Sequence, residues 1–566
     1  MDVVLVGLPG SGKSAVGRRL AARHHAEVID LDARIEAAAG KAIPEIFATD
    51  GEAVFRRLER QVVAGLGPAD PDPGAVRRVI SPGGGAVVDP RNRWLLYRGR
   101  VPVWLDVRPE VLAQRLRRSP TVRPLVQGGD PLGRIRQLAT ARERFYAAAH
   151  RVNGVAEATS VVAAVERRIE AGPSPATTLL RATTSIGQLI AGEGIAASAV
   201  GDALRAMGAR RAVLVSEPGA WDAFGIGVAD GLRAAGWTVD TVMLPSGEAA
   251  KTLAVIGEAA RQLARLRVER RDPLVAIGGG ALGDPAGFLA ASYLRGVPWI
   301  QVPTTLVAQV DSAIGGKTGV DLPEGKNLLG AFHHPAAIVL DVAALRPLPE
   351  RQRRAALGEV AKMAALGDEA LFATLEADGD AVARGDAGAD ERGVVAEIVE
   401  RSAWAKVEVV SADEREQGAA GGRITLNLGH TVGHALEAAD GYATLLHGEA
   451  VGYGLRAATR IGVAMGVTPR SRAARIEGLL DALGLGLAPL PYPPEAVMTA
   501  TRTDKKHAGG RLRWVLPVED GVVVRDDVPE TMVAAAVGSV LSGAPASGAA
   551  RAQGPASPER ATGAPA

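Results

Sequence analysis

The run Gly7-Leu-Pro-Gly10-Ser-Gly12-Lys13-Ser14 has the spacing Gly-x4-Gly-Lys-Ser of a phosphate-binding loop. An apolar strand pattern, Val3 to Val6, precedes it, and a helical pattern, Ala15 to Arg23, follows it. In that context Gly10 and Gly12 let backbone N–H groups converge on phosphate oxygens at a helix N-terminus. Lys13 is expected to reach the β- and γ-phosphates of ATP, and the Ser14 hydroxyl to hold Mg²⁺. Asp30 and Asp32, at i and i+2 off a strand end, offer one carboxylate to organise Mg²⁺ and one to bind a hydroxylated substrate. Phe55-Arg56-Arg57-Leu58-Glu59 falls on a helical pattern, and Gly83-Gly84-Gly85 follows a strand and allows close ligand approach. Arg123 stands in Thr121-Val-Arg-Pro124, between helices, where a lid belongs, and Arg142 is on the next helix.

A second set of chemical residues follows further along. Gly278-Gly-Gly280-Ala-Leu-Gly-Asp284 comes after the strand pattern Val275 to Ile277, a dinucleotide signal that is weak alone. Arg295, Thr304, Thr305, Asp311, Lys317, Lys326 and Asn327 crowd the turn-rich stretch behind it. Such a density of polar groups implies a ligand with both phosphate and hydroxyls. His430 and His434 lie at i and i+4 on one helix face, His447 follows, and Glu359 precedes Lys362 by three residues. His, His and Glu with open positions is the pattern of a catalytic zinc site. Spacing alone selects His430 and His434 as the ligand pair.

The elements that must position these groups divide the chain. Residues 1–171 alternate strands (3–6, 27–30, 77–81, 101–105) with helices, which predicts an α/β domain with a parallel sheet. Gly172-Pro-Ser-Pro175 reads as a linker, 172–177. A second α/β domain is predicted over 178–348, with strands at 212–216, 239–244, 274–277 and 299–302. Helical patterns dominate 349–541, with a late strand-like segment, Leu512 to Val518. Residues 542–566, rich in Ala, Gly, Pro and Ser, read as a disordered tail.

Composition sets the outer bounds. The net charge of +2, from 65 basic and 63 acidic residues, gives no surplus for nucleic acid or an anionic membrane surface. With no cysteine, any metal must be held by His and carboxylate. No apolar run is long enough to span a bilayer, and the expected setting is cytoplasmic. The lysines are only 13, 41, 251, 317, 326, 362, 406, 505 and 506, in a chain whose other basic residues are arginine. In such an arginine-biased chain, surviving lysines should concentrate where a compact ammonium is needed.

Over 1–171 these motifs together resemble shikimate kinase, a nucleoside-monophosphate-kinase-like P-loop fold. The resemblance implies ATP-dependent phosphorylation of shikimate, with Asp32, Arg56, Gly84 and Arg142 binding shikimate, Asp30 near Mg²⁺, and Arg123 stabilising phosphoryl charge. Residues 178–540 resemble 3-dehydroquinate synthase, a Rossmann-like NAD domain followed by an all-α metal-binding domain. That resemblance implies conversion of 3-deoxy-D-arabino-heptulosonate 7-phosphate to 3-dehydroquinate and phosphate, with NAD and Zn²⁺ or Co²⁺. It maps the metal ligands to Glu359, His430 and His447, and makes His434 a substrate-site residue. NAD contacts map to Glu248, Lys251, Gly280, Asp284, Thr304, Thr305, Lys317 and Lys326. Substrate contacts map to Arg295, Asp311, Asn327, Lys362, Lys406, Arg423, Asn427, His434 and Lys505. Lys317, Lys362 and His434 are the expected catalytic groups. In the family the arginine matching Arg423 comes from the partner subunit, which implies a homodimer. The chain departs from the family pattern at Arg346-Pro347, at Ser216-Glu217-Pro218 and in a longer stretch, Gln417 to Arg423.

Overall fold

The computed structural model describes residues 1–544 apart from 71, 73, 119–129, 171, 417–421, 487, 503–506 and 509–510. Arg123, Lys505, most of the Gln417–Arg423 stretch and most of the expected tail therefore lie outside the described residues. The rest forms two compact units: Met1–Ala364 with Asp368–Arg423, and Ala365–Gly367 with the residues from Ile424 onward.

In the first unit, strands β1 (Asp2–Val6), β2 (Glu27–Asp30), β3 (Arg78–Ser81), β4 (Val101–Asp106) and β5 (His150–Asn153) form one sheet in the order β2-β3-β1-β4-β5. Each pairing is parallel. Every residue of β1 is buried, as a central parallel strand covered on both faces requires. The edge strand β5 escapes sequence reading because His150-Arg151-Val152-Asn153 carries a single apolar residue. Helix α1 (Lys13–His24) starts directly behind Gly12, whose φ of 94° a Cβ would oppose. Helices α2 (Glu52–Ala64), α3 (Pro90–Tyr97) and α4 (Pro131–Tyr146) carry the arginines of interest.

The second sheet contains β6 (Thr177–Thr184), β7 (Gly187–Glu193), β8 (Ala212–Ser216), β9 (Val239–Met243), β10 (Leu274–Gly278), β11 (Trp299–Pro303) and β14 (Ala337–Asp341). Its order is β6-β7-β14-β11-β10-β8-β9, parallel except for the β6–β7 hairpin. The last residue of the expected linker, Thr177, already pairs with Glu193 in that hairpin. A separate hairpin joins β12 (Lys317–Leu322) to β13 (Gly325–Phe332). Helix α5 (Gly280–Ser292) follows β10, and α6 (Glu350–Ala365) and α7 (Val394–Ala412) supply buried charges. In the second unit, α8 (His430–Ala439) and α9 (His447–Ala464) carry the histidines, and a strand pair, Trp514–Pro517 with Val522–Arg525, confirms the late strand signal.

Candidate active sites

The N-terminal site is assembled around the carbonyl end of β1. Lys13 donates from Nζ to the carbonyls of Gly7 (2.8 Å) and Leu8 (3.3 Å), so the ammonium is folded onto the loop. Ser14 Oγ donates to Asp30 Oδ2 at 3.3 Å, which joins the two groups expected to share Mg²⁺. Asp30 ends β2, and Asp32 falls in the first turn of the helix Leu31–Ala39, where its N–H donates to Asp30 Oδ1 at 3.1 Å. The two carboxylates thus sit around a helix N-terminus rather than side by side on a strand.

The triple glycine is where the other predicted residues meet. A Cβ on Gly83 would stand 2.7 Å from Asp32 Oδ1, and one on Gly85 3.0 Å from Arg56 Nη1 and 3.6 Å from Arg142 Nη2. Any side chain there would displace those groups. Arg142 Nη1 donates to the Gly84 carbonyl at 2.8 Å, and Tyr146 Oη donates to the same oxygen at 2.5 Å. Tyr146 escaped the sequence reading, yet it lies one helical turn past Arg142, and that spacing was available. Arg56 pairs with buried Glu59 at 2.9 Å and with Glu52 at 2.9 Å. Burial raises the Glu59 carboxyl, against the pull of Arg56.

The second sheet gathers another group. Buried Lys251 pairs with Asp284 at 2.9 Å; burial raises the Asp284 carboxyl while Lys251 opposes it. Gly280 opens α5, Thr304 is buried at the end of β11, and Thr305 Oγ1 accepts from Ala308 N–H. Lys326 stands 3.5 Å from Glu248. Asn327, at φ 52°, donates its N–H to Asp321, and the Lys251 carbonyl accepts from Asp321 N–H, so Asp321 ties the hairpin to the lysine. Lys317 is half exposed and pairs with Glu416 at 2.7 Å. Arg295 lies on an exposed turn at φ 66°.

The densest charge in this unit lies around Asp311. Lys406 Nζ is 2.7 Å from its carboxylate and donates to its carbonyl at 2.7 Å; Lys362 Nζ is 3.4 Å away. Lys362 also pairs with Glu359 at 2.6 Å, and Glu359 is 0% exposed. Burial alone would raise Asp311, but the two ammonium groups hold it well below the usual carboxylate range. Burial lowers Lys406, whereas Asp311 and Glu359 keep Lys362 above the ordinary lysine value despite its burial. Arg423 is buried against the same neighbourhood. It donates to the Gly315 carbonyl (3.2 and 3.3 Å) and to the Glu414 carbonyl (2.6 Å). A Cβ on Gly315 would lie 2.3 Å from Arg423 Nη2, so that glycine makes room for the guanidinium.

In the second unit three imidazoles converge. Ring centroids lie 5.3 Å apart for His430–His434, 5.4 Å for His430–His447 and 5.9 Å for His434–His447. His430 is buried with Nδ1 3.1 Å from the Leu428 carbonyl, and His447 Nδ1 lies 3.3 Å from Glu437. An N–H at each Nδ1 puts the lone pairs on Nε2, the arrangement that partner groups impose on metal-binding histidines. The donor set therefore fits a divalent metal. Glu437 was missed, although it lies on the same helix as His430 and His434 at helical spacing. Asn427 stands one turn before His430.

A phosphate loop on a parallel sheet and an α/β domain bearing buried lysines, followed by a histidine cluster, define a phosphotransferase fused to a metal- and nucleotide-dependent enzyme. Comparison with known proteins specifies both. Residues 9–170 match the shikimate kinase family, 241–355 the 3-dehydroquinate synthase N-terminal family and 356–507 the 3-dehydroquinate synthase C-terminal family. The 3-dehydroquinate synthase of a Synechococcus species is 44% identical over 320 residues, 56% of this chain and 85% of that protein. That of Symbiobacterium thermophilum is 46% identical over 322 residues, 56% of this chain and 87% of that protein. Among solved structures, 2-epi-5-epi-valiolone synthase from Streptomyces hygroscopicus subsp. jinggangensis, determined with NAD⁺ and Zn²⁺, is 26% identical with a TM-score of 0.55. It covers 62% of this chain, and 96% of that chain is matched. The chain belongs to the 3-dehydroquinate synthase family and also carries a shikimate kinase domain, which makes it a bifunctional enzyme of the shikimate pathway.

Proposed function

We propose that the two activities run on the residues described above: ATP-dependent phosphorylation of shikimate, and NAD- and metal-dependent formation of 3-dehydroquinate and phosphate from 3-deoxy-D-arabino-heptulosonate 7-phosphate. In the kinase, backbone N–H groups of the loop and Lys13 hold the transferring phosphates, and Ser14 with Asp30 organises Mg²⁺. Arg56 and Arg142 take the shikimate carboxylate in a bidentate fork, Asp32 takes its hydroxyls, and Arg123 stabilises phosphoryl charge. The meeting of Asp32, Arg56 and Arg142 around Gly83–Gly85 supports this reading.

In the synthase, Glu359, His430 and His447 are the proposed metal ligands, as the family resemblance assigns them. A divalent metal held by these residues would supply Lewis acidity toward a substrate hydroxyl and ketone. NAD bound on this surface would supply a transient hydride acceptor, with no net redox change over the turnover. Lys251, Asp284, Glu248, Lys326, Thr304 and Thr305 form its binding surface. Lys362, Lys406 and Arg423 bind the substrate anions, with Lys317, Arg295, Asn327, Asn427, His434 and Lys505 completing the site. The observation that carries the synthase reading is Asp311 between Lys362 and Lys406. It keeps two buried ammonium groups charged and aimed until a substrate anion competes for them. Charge held in place in a desolvated site acts far more strongly than in water. Arg423, which the resemblance assigns to the partner's site, is proposed to cross a homodimer interface; in the single chain its guanidinium rests on the Gly315 and Glu414 carbonyls. A homodimer, implied by the resemblance, remains part of the proposal, and sedimentation measures it. No described helix is long and apolar enough to cross a membrane; a cytoplasmic setting is proposed.

One purified preparation tests both halves. It should release phosphate from the heptulosonate phosphate with catalytic NAD⁺ and phosphorylate shikimate with MgATP. Stoichiometric NADH release would instead indicate a dehydrogenase, and binding of ATP and shikimate without turnover would leave the kinase half a sensor.

A further inference from the structure

Helix α7 has two working faces. Lys406 points to the Asp311 group and Val410 lies beside Gly315, whereas Glu397, Glu400 and Trp404 meet the kinase domain. The spacing explains the division: at 100° per residue, positions 404 and 406 fall on opposite sides of a helix.

The kinase-facing contacts run to the shikimate loop. Arg93, on α3, is fully buried and pairs through Nη2 with Glu400. Its Nη1 donates to the carbonyls of Val87 and Val88, the tight turn that follows Gly85. The Arg93 guanidinium also lies 4.4 Å over the Phe145 ring. On α4, Arg144 is sandwiched between Phe145 (4.7 Å) and the Trp404 ring (3.9 Å). Burial lowers Arg144, with Glu400 and Glu408 opposing. Trp404 is fixed in turn by its Nε1 donation to Glu408 at 2.7 Å. Arg142 and Tyr146, which flank Arg144 and Phe145 in sequence, both hold the Gly84 carbonyl. One stack therefore runs from the synthase helix through α3 and α4 to the Gly84 carbonyl and to the Val87–Val88 turn just after the triple glycine.

We propose that Glu400 and Trp404, contributed by the synthase part of the chain, are positioning residues for the shikimate site of the kinase. This rests on the kinase reading above. Without Glu400, Arg93 is a buried charge lacking its counter-ion, a state strongly disfavoured. Relief requires α3 or the Arg93 side chain to move, and the Val87–Val88 turn moves with it. Without the indole, Arg144 loses one face of its stack, and α4 can shift with Arg142 and Tyr146. Gly84 also abuts Gly7 and Pro9, but the phosphate loop is anchored by Lys13 to its own carbonyls, so ATP binding should respond less than shikimate binding.

The test uses the full-length enzyme and measures KM for shikimate and for ATP separately, with synthase turnover as the control for folding. In Glu400→Gln the shikimate KM should rise about tenfold. In Trp404→Leu it should rise about threefold, and Trp404→Phe should restore most of that loss. The ATP KM and synthase turnover should stay within about twofold. Unchanged shikimate KM in both variants, or equal rises for shikimate and ATP, overturns the proposal. If Glu400→Gln loses synthase turnover as well, the Trp404→Leu and Trp404→Phe pair decides. Failure of the wild-type enzyme to phosphorylate shikimate removes the kinase reading itself and this inference with it.

Discussion

The two regions proposed to handle phosphate are built by different means. In the kinase, the proposed donors are largely backbone N–H groups of Gly7–Ser14, and a single ammonium, Lys13, lies folded on loop carbonyls. In the synthase, the charge is carried by buried side chains, Lys362 and Lys406, held by Asp311 and Glu359. A backbone site is specified by eight consecutive residues and can be transplanted between proteins. A side-chain site needs four residues scattered between positions 311 and 406, and each ion depends on the others for its charge state. The first should lose function locally when damaged; the second should fail as a group.

The largest effect should come from Lys13→Met. Loss of that ammonium should cut shikimate phosphorylation by about 10²- to 10³-fold, the range for removing one aimed electrostatic donor. Synthase turnover of the same preparation should stay at the wild-type rate. A collapse of both rates would break the comparison, because damage at the phosphate loop would then spread across the interface.

A comparable loss is expected at the synthase from Lys406→Met, about 10²-fold in kcat/KM. The pH profile sharpens the contrast. Burial, with Lys362 beside it, lowers Lys406, so as pH rises this group loses its proton before an ordinary lysine would. Synthase activity should therefore show an alkaline fall below the normal lysine range, and kinase activity on the same protein should lack it. Coincident alkaline limbs in the two assays would mean that the limb belongs to the whole fold.

Metal content separates the histidines. His447→Ala should lose bound metal, whereas His434→Ala should keep it and lose turnover. Glu437→Gln should weaken metal binding about 10- to 100-fold, as removal of a group that orients a ligand does. Elemental analysis after dialysis reads all three. Metal lost from His434→Ala but retained by His447→Ala would restore the pairing suggested by helical spacing. Chelation should stop the synthase, while the kinase recovers with added Mg²⁺ alone.

The smallest signal is expected from subunit mixing. Arg423→Ala and Glu359→Ala, both inactive as synthases, should partly recover activity after exchange, because one site of the hybrid dimer would combine an intact metal shell with an intact donated arginine. No recovery after verified subunit exchange would mean that Arg423 acts where it lies in the single chain, on the Gly315 and Glu414 carbonyls.

Much of both sites was legible in sequence because their residues are local. The phosphate loop, the triple glycine and Glu359 with Lys362 are single segments whose spacing alone places them on a turn or a helix face. The strand positions expected at 212–216 and 274–277 followed from apolar runs, and the observed strands match them within one residue. What escaped were elements whose apolar content is split or diluted. The strand His150–Asn153 has one apolar residue, and the hairpin from Thr177 hides behind a Pro-rich stretch that reads as linker. Tyr146 and Glu437 escaped for another reason: their roles depend on partners 62 and 10 residues away.

By itself the sequence determined the two chemistries, because short motifs dictate which donors can face a phosphate or a metal. It also determined the parallel α/β core, through strands apolar on both faces. Only the tertiary structure decided that Asp311 lies between Lys362 and Lys406, that Arg423 turns inward onto Gly315, and that Glu400 and Trp404 of one enzyme brace Arg93 and Arg144 of the other. Charge pairing and aromatic stacking of this kind join residues up to 307 positions apart. Local propensity and spacing carry no information about such pairs; the packing of whole helices and sheets brings them together.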